Sequence, residues 1–287
     1  MISDSKDVSE FYDEMAKFND YDKFWAYDRI LYDQIHPILI EYIEKMRKRD
    51  SLILDLGCGT GAQTLILCRK GFRKVYGLDI SKGLLNIAKI KTRKFDNAPF
   101  LINADAATLP FKDETFDLLV CFYNVLNHVL RYDFAIKEMY RVLKKGGHML
   151  LEIERVSMSD LFYGGLDILL GGKLDYEMTL NEWLTQLKHP FYTMTPRWTY
   201  KSKQIRYWRF STKVIENECQ NAGFKIIHKY GISIVSGLLP WGLLKKSSSL
   251  ANILCPLFLR LDKKIKNLHL FRNLGLNTLY VMEKQSD

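Results

Sequence analysis

A chain of 287 residues, 47% of them apolar, can bury a sizeable core as one large domain or as one domain with insertions. Its 42 basic and 33 acidic residues leave a net charge of +9, which suits an anionic partner (nucleic acid, phospholipid or acidic metabolite) and equally a basic protein with scattered lysines. A membrane-spanning helix is excluded, because no uninterrupted apolar run reaches about 18 residues. Cys58, Cys68, Cys121, Cys219 and Cys255 show no paired metal-ligand spacing, and two of them fall in apolar strand or helix positions that suit buried thiols; the polar, acidic N-terminus shows no signal peptide, and both features point to a reducing, cytoplasmic setting.

The first segment, 1–50, reads as helical. Phe11, Tyr12, Met15, Phe18, Tyr21, Phe24, Trp25, Tyr27, Ile30 and Leu31 form a dense apolar series, while Asp13, Glu14, Asp20 and Asp22 keep the other face wet. An amphipathic helix over 35–48 leads into Leu52–Leu56, whose apolar run suits a parallel strand covered on both faces. Asp55 interrupts that run. Gly57, Gly59 and Gly61 alternate after it, clearing Cβ atoms from a tight turn, and a helix over 64–70 aims its unpaired N–H groups at the same ligand. Gly57, Gly59 and Ala62 also satisfy the G-x-G-x-x-A pattern of a dinucleotide loop. Asp55 weighs against that reading, since a carboxylate repels a pyrophosphate and accepts hydrogen bonds from a cationic amino group. The ligand implied is an amino acid fused to a nucleoside.

Residues 74–80 read as a second strand ending in Asp79, 24 residues beyond Asp55. An acid near this spacing in a βαβ unit can bind both ribose hydroxyls; the alternative, a helix N-cap, is better filled by Ser81. A helix over 82–93 turns Leu84, Leu85, Ala88 and Ile90 inward. Phe100–Asn103 is the third strand, followed by Ala104-Asp105-Ala106, and Leu109-Pro110-Phe111 leads to a fourth strand, Phe116–Cys121. Leu109, Phe111 and Phe116 read as core, and Asp117 as a strand-start residue bonded to backbone. Beyond that strand, residues 122–129 should line the transfer site, because ligands in open parallel sheets sit past the carboxyl ends where strand order reverses. Asn124 is placed to hold a bound nucleophile. His128 can take its proton as a general base, or can pack locally. A helix over 133–143 ends at Lys144-Lys145-Gly146-Gly147, and His148–Glu154 forms the fifth strand.

From Leu52 to Glu154 these phrases, D-L-G-C-G-T-G, L-P-F-x-x-x-x-F-D and R-V-L-K-K-G-G among them, resemble the class I S-adenosylmethionine (SAM)-dependent methyltransferases of the small-molecule, type 11 kind. The resemblance implies an α/β fold: a seven-stranded Rossmann-like sheet with helices on both faces and inserted lid elements. It implies SAM as cofactor, with Asp55 and the turn Gly57, Cys58, Gly59, Gly61 beside it. Asp79 and Ile80 then stand at the ribose, Asp105 faces the adenine amino group with the backbone of Ala106 beside the ring, and Tyr123 is a further neighbour. Tyr12 and Tyr21 become candidate lid residues, packing of the first helices being the other reading. The N-P-P-aromatic signature of amino-directed DNA and protein methylation is missing from 122–129.

After residue 156 the alternation breaks. Residues 157–210 are rich in Tyr, Trp and Phe, with two strands of a hairpin within 194–210, and read as an insertion that chooses the substrate; a second small core or a dimer contact would also account for the rings. Ser211-Thr212 caps a helix over 213–222, and sixth and seventh strands follow, the last at 276–284. Between them, 231–275 carries apolar segments edged by Lys245, Lys246, Lys263, Lys264 and Lys266, which suits a membrane surface, a lipid-like substrate, or a plain helical cap. The organisation expected is therefore a helical lid over 1–50, a SAM-binding core over 51–156, an inserted lid over 157–210 and a C-terminal part over 211–287. Trp208 and Trp241 are expected to face the acceptor, with the two insertions forming one lid. The function expected is methyl transfer from SAM to a small-molecule acceptor, lipid-like or aromatic. Nucleic-acid methylation is the alternative, followed by a nicotinamide-dependent oxidoreductase or a SAM-binding protein without activity. Peripheral contact with the inner face of a membrane goes with the lipid reading.

Overall fold

The computed structural model describes residues 2–17, 26–46, 49–172, 178–189, 195–239, 248–265 and 274–285. One sheet organises them, in the order β3-β2-β1-β4-β5-β9-β8. Its strands are β1 (Leu52–Leu56), β2 (Lys74–Asp79), β3 (Phe100–Asn103), β4 (Phe116–Cys121), β5 (Leu143–Glu154), β8 (Phe224–Ile232) and β9 (Asn277–Lys284). The first five run parallel, while β9 enters antiparallel between β5 and β8. Strand order reverses between β1 and β4, so a crevice opens there past their carboxyl ends.

Alternation along the strands builds two cores. Leu54, Leu56, Leu119, Cys121, Met149 and Leu151 face α5 (Tyr132–Val142) and α8 (Thr212–Asn221), which contribute Ile136, Met139, Ile215 and Cys219. Their neighbours Ile53, Leu118, Val120 and Leu150 face α2 (Ala26–Lys45) and α3 (Ala62–Arg69), through Leu31, Ile35, Leu39, Ile43 and Leu67. A sheet covered on both faces explains why β1 and β4 read as unbroken apolar runs. All five cysteines are free and buried.

Several details depart from the pattern reading. The helix expected from residue 35 starts at Ala26 and carries Pro37 in its interior; its buried stripe at Leu31, Ile35 and Leu39 holds it on the sheet despite the missing N–H. Ile90 is exposed, because α4 (Lys82–Thr92) buries Leu84, Ala88 and Thr92 at i, i+4, i+8, and position 90 falls off that stripe. The fifth strand begins at Leu143, directly after α5, with Gly146 at φ 71 absorbing the bend. Ser211 occupies the N-cap position of α8 without a side-chain cap bond. Ser81 does cap α4, its hydroxyl accepting from Leu84 N at 3.1 Å, and Asp117 accepts from Leu52 N at 2.8 Å.

Among the described residues the two insertions meet where the Tyr163 hydroxyl donates to Leu238 O, and most of each packs elsewhere. Strands β6 (Arg197–Tyr200) and β7 (Lys203–Arg206) form a hairpin that packs on α1 (Ser5–Lys17): Phe11, Met15 and Ile205 are buried together, with Tyr12, Trp198 and Tyr200 around them. Ser3 N donates to Arg206 O at 3.2 Å, Arg206 N returns a bond to Ser3 Oγ at 3.0 Å, and Lys203 pairs with Glu10 at 2.7 Å. The helices α6 (Met158–Leu169) and α7 (Leu180–Lys188) pair with each other, Trp183 Nε1 donating to Leu161 O at 2.8 Å. Helix α9 (Ser248–Ile265) packs instead on α2, where Leu239 and Cys255 meet Ile30. The expectations for Phe18, Asp20, Tyr21, Asp22, Phe24, Trp25, Trp241, Lys245, Lys246 and Lys266 lie outside the described residues.

Candidate functional site

A cleft of about 810 Å3, its open mouth included, lies over the carboxyl ends of β1, β2 and β4. Its floor is the turn between β1 and α3. Gly57 has φ 69, and a Cβ there would fall 2.1 Å from Val125 Cγ2, so only glycine lets the turn lie against the loop after β4. The backbone N–H groups of Gly57 and Cys58 both donate to Leu78 O, at 2.7 and 3.0 Å, tying the turn to β2.

Asp79 closes that side. It is buried at the end of β2 and lines the cleft, its carboxylate accepting from Gly59 N at 2.8 Å and Ser81 N at 2.9 Å. A carboxylate offers about four acceptor positions, so capacity remains for a ligand's hydroxyls. Burial raises its pKa to about 6 against those two hydrogen bonds. Ile80, Asp105 and Ala106 continue the wall; Asp105 accepts from Ala107 N at 2.8 Å and from the hydroxyl of Ser5.

Helix α1 roofs the cleft. Ser5, Val8 and Tyr12, at i, i+3, i+7, line it, while Val8, Phe11 and Met15 are buried. Asp13 fastens the helix to the start of α4 by accepting from Gly83 N at 2.8 Å and Ser81 Oγ at 2.5 Å. This places a negative charge on a helix N-terminus.

The fourth wall follows β4. Tyr123 and Asn124 both have φ 61, two successive residues in a conformation L side chains rarely adopt. The strain is held from behind: Glu152, fully buried, accepts from Asn124 N at 3.0 Å and from Asn277 Nδ2 at 2.6 Å, and Asn277 also donates to Asn124 Oδ1 at 2.9 Å. Burial lifts the pKa of Glu152 to about 7. The Tyr123 hydroxyl lies 2.6 Å from His36 Nε2, and Tyr32 packs against the Tyr123 ring at 4.5 Å between centroids. Burial lowers the His36 pKa to about 4. His128, at the end of the following helical turn, also lines the cleft. Its ring is surrounded by Tyr207 at 5.1 Å, Tyr12 at 5.7 Å and Trp198 at 5.9 Å. Its Nδ1 is sealed from solvent without a hydrogen-bond partner among the described residues, and burial lowers its pKa to about 4.

The cleft thus gathers Gly57, Cys58, Gly59, Asp79, Ile80, Asp105, Ala106, Tyr123, His128 and Tyr12. Asp55, Gly61 and Asn124 are not among its lining. Asp55 lies behind the turn, hydrogen-bonded to the Thr64 hydroxyl, with burial raising its pKa to about 7; its Oδ1 has no partner among the described residues. Gly61, at φ 86, begins α3. Trp208 is part of the frame and does not line the cleft: its Nε1 donates to Val129 O at 3.1 Å, its N to Asn127 O at 2.7 Å, and its ring packs on Tyr132 and Phe210. The pattern reading missed Ser5, Val8, Tyr32, Glu152 and Asn277. The spacing of Ser5, Val8 and Tyr12 was a usable signal, and so was an acid set in the apolar run of β5.

A doubly wound sheet with a glycine turn after β1 and an acid at the end of β2 defines a Rossmann-like, nucleoside-binding protein. The buried carboxylate at Asp79, with acceptor positions to spare beside a backbone turn cleared of side chains, fits a ribose better than a pyrophosphate. Residues 54–151 match the family model described as a methyltransferase domain. The chain is 30% identical over 234 residues to the uncharacterized protein MJ1252 of Methanocaldococcus jannaschii, covering 81% of this chain and 82% of that one. It is 40% identical over 102 residues to the demethylmenaquinone methyltransferase of Staphylococcus haemolyticus, which is 35% of this chain and 42% of that enzyme. The crystal structure of the [4+2]-cyclase SpnF has the same fold, with a TM-score of 0.62 at 17% identity over 100% of this chain and 98% of that one. The chain belongs to the class I SAM-dependent methyltransferase family and is an enzyme of that kind.

Proposed function

We propose that this enzyme transfers the methyl group of SAM to a small-molecule acceptor with a flat aromatic or lipid-like body, held where Tyr12 and His128 face the cleft, with Trp198 and Tyr207 packed behind them. The observation that carries the reading is that ring cluster. It is built by α1 and the hairpin region, outside the 54–151 core, and it meets the cleft at His128 and Tyr12. Flat faces of this kind hold planar or long apolar molecules by stacking and burial.

When bound, SAM supplies a methyl group already activated by the positive charge on its sulfur. Asp79 would accept the ribose hydroxyls, Asp105 and Ala106 would flank the adenine, and Gly57 and Gly59 would let backbone approach. Asp55, behind the turn, holds that turn in place through Thr64. Alignment of the acceptor and exclusion of water then account for much of the rate. His128, with its pKa near 4, keeps a free lone pair at neutral pH and can take the acceptor's proton as it leaves.

The likeness to a demethylmenaquinone methyltransferase supports menaquinone precursors as the first acceptors to try. The test is to incubate the protein with SAM and, separately, quinols, simple phenols, fatty acids and bulk tRNA, measuring S-adenosylhomocysteine release. Turnover with a quinol, phenol or fatty acid is expected. Turnover with tRNA alone would contradict the proposal.

A further inference from the structure

Helix α9 is held firmly on one side and left open on the other. Asp262 is fully buried and accepts from Val235 N at 2.6 Å, Ser236 N at 3.3 Å and Gln34 Nε2 at 3.2 Å, as well as from the Ser236 hydroxyl. Gln34 in turn accepts from Ser233 N at 3.1 Å. With Cys255 buried and Leu254, Phe258 and Leu259 packed beside it, the inner face of α9 is fixed to α2 and to the chain after β8.

The outer face is aliphatic. Ile253 is 70% exposed, Leu257 52% and Leu261 42%, at i, i+4, i+8, one stripe along about 12 Å of helix. Water-facing helices ordinarily place polar residues there. Arg260, Lys263 and Lys264 are exposed in the same stretch, and the one acid of α9, Asp262, is turned inward. The face is therefore aliphatic and purely cationic. Beside the same small core, Leu238 is exposed next to buried Leu239, and its carbonyl accepts from Tyr163 of α6, where Phe162 is exposed as well.

We infer that the outer face of α9 is a docking surface for an anionic lipid bilayer, with Ile253, Leu257 and Leu261 entering the headgroup boundary and Arg260, Lys263 and Lys264 meeting lipid phosphates. An aliphatic stripe flanked by cations, too short to span, is what such a surface takes. A protein partner is less well served by this face, since protein interfaces favour Tyr, Trp and Phe at their centres and the stripe has none. No helix among the described residues is long and apolar enough to cross a membrane, so the contact is peripheral. The inference is independent of which acceptor is methylated.

Its test is sedimentation of the whole chain with vesicles of phosphatidylcholine alone and of phosphatidylcholine mixed with phosphatidylglycerol. The wild type should pellet with the mixed vesicles at low salt, and less as salt screens the cations. Replacing Lys263 or Lys264 by Ala should weaken partitioning about fivefold each, and more together. Ile253→Asp with Leu257→Asp should abolish it at every salt concentration. S-adenosylhomocysteine affinity should stay unchanged in all these variants, which shows that they fold and that the cofactor cleft lies elsewhere. A wild type that ignores anionic vesicles at low salt overturns the inference. So does equal pelleting by the double aspartate variant, or light scattering that shows a stable dimer dispersed by it, which would make a second copy the occupant.

Discussion

Replacing Gly57 by alanine perturbs the turn on which the cleft is built, and the structure sets the size of the effect. At φ 69 an alanine pays the left-handed penalty of about 1–2 kcal/mol. Its Cβ would also fall 2.1 Å from Val125 Cγ2 and 2.6 Å from Cγ1, a clash inside a packed region that costs about 1–3 kcal/mol. The sum is about 2–5 kcal/mol, unless the turn shifts, which its two bonds to Leu78 O oppose. Urea denaturation of Gly57→Ala against wild type measures the stability loss, and titration with S-adenosylhomocysteine measures the cleft. Adding Val125→Ala removes both Cγ atoms but leaves the φ penalty and the residual approach to the residue 125 Cβ at 2.9 Å, so the double variant should recover part of the loss and not all of it. If Gly57→Ala costs less than about 0.5 kcal/mol, or Val125→Ala restores nothing, the turn is not held as described.

Asp79→Asn should weaken S-adenosylhomocysteine by about 1–3 kcal/mol, because the amide replaces a charged acceptor; wild-type affinity should also fall as pH drops below about 6, where Asp79 takes a proton. Affinity flat from pH 7 to 5 would move the ribose contact elsewhere. His128→Asn should lower kcat by about 10²–10⁴ at unchanged cofactor affinity. The acidic limb of the wild-type pH–rate profile should then lie near 4 and not near 6.5, since burial lowers the histidine's pKa. Glu152 has its folded pKa raised from 4.5 to about 7, so the folded state holds its proton more tightly than the unfolded chain does. The stability it contributes is present below pH 4.5 and is lost as pH rises through about 7. Thermal melts of Glu152→Gln should show a flatter dependence on pH between 5 and 8 than the wild type, and identical slopes would contradict this.

The sheet was legible because its information is local. The run Leu52–Leu56, the glycine turn and the acid at Asp79 each carry their own signature, and β1 to β5 fall within a few residues of where the pattern puts them. Ile90 misled because an apolar residue one step off a helical stripe looks inward in a list and outward on a wheel. The roof was only half legible. Aromatic residues of α1 were visible, but their pairing with β6 and β7 joins residues nearly two hundred positions apart, which no local period reports. Trp208 shows the same limit: its ring marks it as a candidate contact, while its bonds to Asn127 and Val129 make it part of the frame. The strained pair Tyr123 and Asn124 left no trace in composition, since neither residue is a glycine and their support comes from Glu152 and Asn277 on other strands.

SAM, and not a nicotinamide dinucleotide, is the cofactor proposed for the cleft between the glycine turn and α1. Calorimetric titration of the intact chain with S-adenosylhomocysteine and with NAD, repeated on Tyr12→Ala, tests it most directly. Saturable binding of S-adenosylhomocysteine, none of NAD, and weaker binding once the roof loses Tyr12 are expected. Binding of NAD alone, or of neither nucleoside by a folded protein, would contradict it.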